Sequence, residues 1–306
     1  EFDVSADAIL AGGTLAGGVK VIKTDNPQLA DLIRQADELH NNKYQPASEK
    51  LMTEGRELLA RKAATEAAMG TMEGTFDEVA GDVGAMEGLL RKEITARAKS
   101  GQVGAEAQSI LREEVPLADM VNEVKYTLAM TRITLEEFVQ GRDLTEMKEL
   151  EQEYKQWIEE FDQVIRAILE GGTVDGVQIV ATDNPQLRAA VEEVDQNHSN
   201  FQKAADNMMT AHRATIAQAQ ASDQAMAVAE AASNEATILL SKVENLAGQE
   251  MSAAKIMGRE SSKRAITWLL IVVASALLIG RMVGIGITRG IVNPIRQGVQ
   301  FAETIA

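Results

Sequence analysis

Thr24-Asp25-Asn26-Pro27-Gln28-Leu29 recurs in the second half of the chain as Thr182-Asp183-Asn184-Pro185-Gln186-Leu187. The hexapeptide is a helix start: Asn offers a side-chain oxygen to the free amides of a first turn, and Pro at the first helical position lacks an N–H that would have no partner there. The likeness spreads both ways. Upstream, Glu1-Phe2-Asp3, Ala8-Ile9-Leu10 and Gly12-Gly13-Thr14 return as Glu160-Phe161-Asp162, Ala167-Ile168-Leu169 and Gly171-Gly172-Thr173; after a one-residue adjustment, Gly18-Val19 returns as Gly176-Val177. Downstream, Asp37, His40 and Asn42 match Asp195, His198 and Asn200. Each Gly-Gly reads as a helix stop, because glycine takes the left-handed conformation that ends a helix. The repeated unit is therefore helix, crossover, helix, and two copies predict two related helical hairpins about a pseudo-two-fold axis.

A helix leads into Glu160 in the second copy and has no counterpart before Glu1, so an ascending helix and a first membrane span are expected upstream of a truncated first copy. Aromatic residues are 4% of the chain and prolines five in 306, whereas Ala, Glu, Gln, Leu and Met abound. That is the composition of long helices. The expected fold class is all-α, an elongated antiparallel four-helix bundle that continues into a transmembrane helix. Its interior has to come from Ala, Leu, Val, Ile and the 13 Met, a light and repackable core.

The pattern runs helical from Pro27 to about Lys99, turns at Ser100-Gly101-Gln102-Val103-Gly104 and resumes to about Glu170, with a last helix from Pro185 onward. Unbroken, that last helix is a rod of ~120 Å, which places both Gly-Gly crossovers at its far tip. Interruptions are expected at Pro116 and at Gly141-Arg142-Asp143, where Asp143 and Glu146 have the spacing of a capping box. Gly70, Gly74, Gly81, Gly84 and Gly88 fall in one expected helix. Each costs about 1 kcal/mol against Ala unless it permits close packing, and the run marks the expected division into two stacked modules.

Ala265 to Ile287 is apolar apart from Arg281. About 20 such residues cross a hydrocarbon core of roughly 30 Å. Trp268 suits an interfacial anchor, and Arg281 lies near enough to the other end to lift its guanidinium into the headgroups. Residues 1–264 hold 27 Lys+Arg against 45 Asp+Glu, a net of −18, whereas 265–306 hold Arg281, Arg289 and Arg296 against Glu303, a net of +2. An acidic part outside and a basic stub inside is the expected orientation. The acid excess also argues against nucleic acid, whose binding needs Lys and Arg to displace counterions.

Thr288-Arg289-Gly290-Ile291-Val292-Asn293-Pro294-Ile295, followed by Val299, Ala302 and Ile305, resembles the membrane exit and first helix of a HAMP domain. Together with the helical region before the span, it makes the chain similar to a bacterial methyl-accepting chemotaxis receptor. Thr131 to Asp143 resembles the helix break of helical bimodular sensor domains, and the Gly-Gly, crossover and helix unit is similar to the sensors of type IV pilus chemoreceptors. The resemblance implies a homodimer in the bacterial inner (cytoplasmic) membrane, with 1–264 periplasmic or extracellular (repeat one 1–100, repeat two 101–264), the span at 265–287 and the HAMP start at 288–306. It further implies a cytoplasmic kinase and adaptor as partners downstream, and Arg281, Arg289 and Pro294 as residues of signal transmission. A sensor histidine kinase or cyclase with the same sensor, and a ligand-free structural or adhesive rod, are the alternatives.

No enzyme constellation is present: the chain has no Cys, no Gly-x-Ser-x-Gly elbow and no P-loop, and its three His are far apart. No cofactor or metal is expected. Leu187, Val191, Val194, His198, Phe201, Ala205, Met208 and His212 alternate by four and three, a heptad seam that turns His198 inward. His40 holds the matching place in repeat one. Pseudo-symmetry then sets His40 and His198 at one height, each with an Asp three residues earlier, Asp37 and Asp195, to fix a ring tautomer. Two readings fit: a polar layer that sets helix register, or a ligand site that includes Asn42 and Asn200. Arg132 flanks the seam of its own helix, where it either pairs with Glu136 on the surface or clamps a carboxylate. By resemblance to sensors whose inward Arg residues hold organic acids, Arg132 is a candidate contact for such a small-molecule ligand.

Overall fold

In a computed structural model, residues 2–99, 108, 110–141 and 143–257 are described, together with Val272, Val273, Ser275, Leu277, Gly280 and Arg281. The chain is mostly helical. In order come α1 (Phe2–Ala11), β1 (Gly13–Leu15), β2 (Val19–Val21) and α2 (Pro27–Leu39), then a π-helical turn (His40–Tyr44) leading into α3 (Gln45–Lys99). A second π turn (Ile110–Glu114) opens α4 (Val115–Gln140), followed by α5 (Leu144–Glu170), β3 (Gly172–Val174), β4 (Val177–Ile179) and α6 (Pro185–Met257).

The helix ends follow the residues that call for them. Asn26 Oδ1 accepts from the amides of Gln28 and Leu29 at 2.8 and 3.2 Å, and Asn184 Oδ1 repeats this with Gln186 and Leu187 at 2.9 and 3.3 Å. Asp143 accepts from the Thr145 amide at 2.8 Å and restarts the chain as α5 after Gly141. Gly171, at φ +79°, ends that helix. The crossovers, expected as plain connections, hold antiparallel hairpins β1–β2 and β3–β4. In the second hairpin Val174 pairs with Val177 across Asp175 and Gly176, both left-handed, the backbone that a two-residue hairpin turn requires. In the first, Leu15 pairs with Val19 across Ala16-Gly17-Gly18. The extra turn residue is where the two repeats fall one out of step.

The chain forms two compact units, each discontinuous. Unit 1 joins residues 1–56 to 221–306, and unit 2 is 57–220. Each takes the first part of one repeat and the last part of the other. In unit 1 the start of α2 lies against the end of α6, where Asn26 Nδ2 donates to Glu250. In unit 2 the start of α6 lies against the end of α3, where Asn184 Nδ2 donates to Glu93 at 2.7 Å. The two Gly-Gly crossovers, expected together, therefore belong to different units. The glycine run does not mark the division either: the boundary is at Arg56 and Glu57, and α3 passes unbroken through Gly70 to Gly88.

The unit 2 core draws on α3 (Val79, Val83, Met86), α4 (Val124, Leu135, Phe138), α5 (Met147, Phe161, Ile165) and α6 (Val191, Phe201, Met208). Unit 1 has two lighter clusters, Ala6, Leu29, Ile33 and Val243 in one, and Ala47, Leu51, Ala225, Ala229 and Ala232 in the other. Stabilisation scales at about 0.8 kcal/mol per buried CH₂, so a face of alanines contributes less than one of Val, Ile and Met. Among the described residues no helix is long and apolar enough to cross a membrane. The expected span at 265–287 lies outside them save for six scattered residues, and the expected HAMP start at 288–306, with Arg289 and Pro294, lies outside them entirely.

Candidate functional site

The heptad seam of α6 is buried along its length, and His198, 1% exposed, faces inward in unit 2. Its imidazole stacks on Phe161 of α5, with ring centroids 3.6 Å apart and planes 23° apart, and the Phe201 ring is stacked more distantly at 6.1 Å. His198 Nδ1 is 3.2 Å from Asp162 Oδ1 and 3.2 Å from Gln202 Nε2. Gln202 Nε2 is also 3.4 Å from Asp162 Oδ1, so the carboxylate can accept from both and fix the ring with its proton on Nδ1. That leaves His198 Nε2 buried with no hydrogen-bond partner among the described residues. On α5, two turns before Phe161, Tyr154 is 3% exposed and its hydroxyl also has no partner among them. Burial, then the carboxylates of Asp206 and Asp162, pushes the Tyr154 phenol well above its ordinary range, which keeps it a neutral donor. Burial likewise raises the carboxyl of Asp206.

Unit 1 carries a second copy of this stack. Phe2 and His40 stack at 4.7 Å, and His40 and Tyr44 at 5.7 Å, with interplanar angles of 30° and 27°. Phe2 matches Phe161 and His40 matches His198. Tyr44 comes four residues after its histidine and Phe201 three after its own, so repeat one holds one residue more. Tyr44-Gln45 thus answers to Phe201-Gln202. The π turn absorbs the insertion, since a π turn accommodates one extra residue without ending the helix.

The partner of the histidine differs from the one its spacing suggests. Asp195 is exposed, because it follows the buried Val194 and lies about 100° round the helix from it. Asp162, from the facing helix, takes its place beside His198. In unit 1, Asp37 is half-buried and its Oδ1 has no hydrogen-bond partner among the described residues. Burial raises its carboxyl, Asp3 and Asp7 raise it further, and His40 opposes them. Asn42 is exposed and Asn200 half-buried. His40 belongs to unit 1 and His198 to unit 2.

Arg132 is exposed on α4. Its Nε donates to Glu136 at 2.8 Å and its guanidinium lies 5.0 Å over the Phe76 ring. Glu136 raises its already high pKa further, ahead of the opposing effect of burial. This is the surface pairing, with the guanidinium outside the core. His212, lower on the α6 seam, is buried, and its Nε2 lies 3.4 Å from the Gly141 carbonyl where α4 ends. Among the described residues no cluster of His, Asp and Glu could hold a metal. Phe2, Tyr44, Asp162 and Tyr154 were not singled out from sequence. The signal for two of them was there, since Phe-Asp is part of the repeated opening tripeptide. No protein-family model matches the chain, and no curated protein matches it.

Proposed function

We propose that this chain is the sensing and membrane-crossing part of a bacterial chemoreceptor. Residues 1–264 form an elongated four-helix bundle of two stacked modules outside the cytoplasmic membrane, 265–287 cross it, and 288–306 begin a HAMP domain. The receptor works as a homodimer and passes its signal to a cytoplasmic module that controls a kinase through an adaptor.

The observation that carries the reading is α6. It begins at the hairpin of unit 2, presents His198 to the core there and continues as one helix into unit 1, where it is described as far as Met257, a few residues before the apolar run in the sequence. A helix shared in this way conveys a displacement that a loop would absorb. Packed helices shift by 1–2 Å between discrete arrangements, and a ligand biases them by its difference in affinity for the two. His198, whose ring Asp162 holds at Nδ1 while Nε2 has no partner among the described residues, is the group assigned to the ligand in unit 2, and His40 is its counterpart in unit 1.

Thr65 and Thr215 provide the test, since their hydroxyls meet at 2.9 Å between α3 and α6 and the chain has no other Cys to confuse a crosslink. With Thr65→Cys and Thr215→Cys oxidised, α6 is tied to its neighbour and downstream kinase control should freeze in one state. A locked receptor that still responds to stimulus as the reduced one does contradicts the proposal.

A further inference from the structure

Tyr126 on α4 is 52% exposed, whereas among the described residues every other Phe, Tyr and Trp is buried or half-buried. It stands beside the half-buried Trp157 of α5. The two rings meet edge to face, with centroids 5.8 Å apart and planes 85° apart, so their faces form the two walls of a corner. Glu153 comes one turn before Trp157 on α5. Its Oε1 accepts from the Trp157 indole Nε1 at 3.3 Å and, more weakly, from the buried Thr134 hydroxyl at 3.5 Å. A half-buried carboxylate is thus held at the indole edge. The cations near these residues in sequence are engaged elsewhere, Lys125 by Glu87, Arg132 by Glu136 and Lys155 by Glu151, and among the described residues no Lys or Arg pairs with Glu153.

The ring contact ties α4 to α5, but packing alone does not account for the arrangement. An aromatic placed only to fill space would bury more of its ring, and a carboxylate drawn half out of water is destabilised unless a countercharge meets it. A cation in the corner answers both. The negative faces of the two π-systems attract it, and Glu153 neutralises it. A bare ammonium group is strongly hydrated and would have to leave that water to lie against the rings. A quaternary ammonium has no N–H to satisfy and presents methyl groups to both faces, which is the cation that aromatic walls recognise. We propose that Tyr126, Trp157 and Glu153 bind a small quaternary ammonium compound, with its N-methyl groups in the corner and its charge toward the Glu153 carboxylate. The site lies wholly within unit 2, on α4 and α5, and the inference does not require the receptor reading.

Choline tests the site on the whole chain, with the alcohol that carries a tert-butyl group in place of its trimethylammonium as the neutral isostere. Binding is read by NMR at the Trp157 indole N–H; the chain has two Trp, and Trp268→Phe assigns the signal. Choline should shift that signal saturably, and the neutral alcohol should bind at least about tenfold more weakly. Tyr126→Phe, which keeps the ring, should bind choline within about twofold of wild type, and Tyr126→Leu at least about threefold more weakly. The position is exposed, so neither change opens the core, and helical circular dichroism should be kept. Glu153→Gln keeps an acceptor for Trp157 and Thr134 but removes the charge, and should weaken choline at least about threefold while leaving the alcohol unaffected. Absence of a saturable shift with choline in wild type, the alcohol bound as tightly as choline, or undiminished choline binding in Tyr126→Leu or Glu153→Gln overturns the proposal.

Discussion

His212 sits where α4 gives way to α5, with Phe138 tilted over it at 5.9 Å and the Gly141 carbonyl as its polar neighbour. Burial lowers its pKa from the ordinary value of 6.5, and the carbonyl only partly offsets this. The unfolded chain therefore binds the proton more readily than the folded one, so stability is full above the unfolded pKa and falls as pH drops through it toward the folded value. Unfolding free energy measured between about pH 7.5 and 5.5 should decline with acid, and His212→Gln, which keeps a donor for Gly141, should flatten that decline. A variant with the wild-type slope would mean that His212 is not buried neutral. At this scale the sequence was partly legible. The period of α6 located His198 and His212 on the inward face, but residue spacing along one helix cannot report a partner on another, and so Asp162 was missed beside His198.

Start and stop signals were the most legible at the scale of elements, because Asn-Pro and Gly-Gly act through their own backbone amides and φ angles. The hairpins were missed although Val174-Asp175-Gly176-Val177 carries the signal for a tight turn; strands of three residues leave almost no alternation to detect. The π turn could be found only by aligning rings, since Lys43 is an insertion that nothing local announces. Deleting Lys43 should let α2 and α3 join in the register of unit 2, with Tyr44 still stacked on His40. Its melting temperature should stay within about 4–8 °C of wild type, the equivalent of about 1 kcal/mol in a small domain. Deleting Glu66 instead turns every later residue of α3 by about 100° and should unfold the unit. Glycine substitutions separate two kinds of position. Gly84 is exposed with nothing within 4 Å of a added Cβ, so Gly84→Ala should gain about 1 kcal/mol. At Gly141 a Cβ would stand 3.1 Å from Met147 Cγ and 3.2 Å from the Phe138 carbonyl, so Gly141→Ala should lose about 1–3 kcal/mol. Chemical denaturation checks both, and equal effects would contradict the packing described.

For the molecule as a whole, the repeat revealed kinship between the halves but not how they are shared out. Sequence order suggests that each copy folds on itself. Instead each long helix begins in one unit and ends in the other, because two antiparallel helices of similar length bring the start of one against the end of the other. This arrangement explains why Asn26 meets Glu250 and Asn184 meets Glu93, contacts that no local pattern encodes. It also makes α6 a member of both units. The central claim, that this helix leads from an outer sensor through lipid to an inner coil, is tested most directly by side-specific labelling, for which a chain with no Cys is suited. A single cysteine is placed at Thr14, in the first hairpin, or at Gln297, after the apolar run, and intact cells are treated with a membrane-impermeant maleimide. The account predicts that Thr14→Cys is labelled and Gln297→Cys is labelled only after the membrane is opened; labelling of both in intact cells, or of neither, contradicts it.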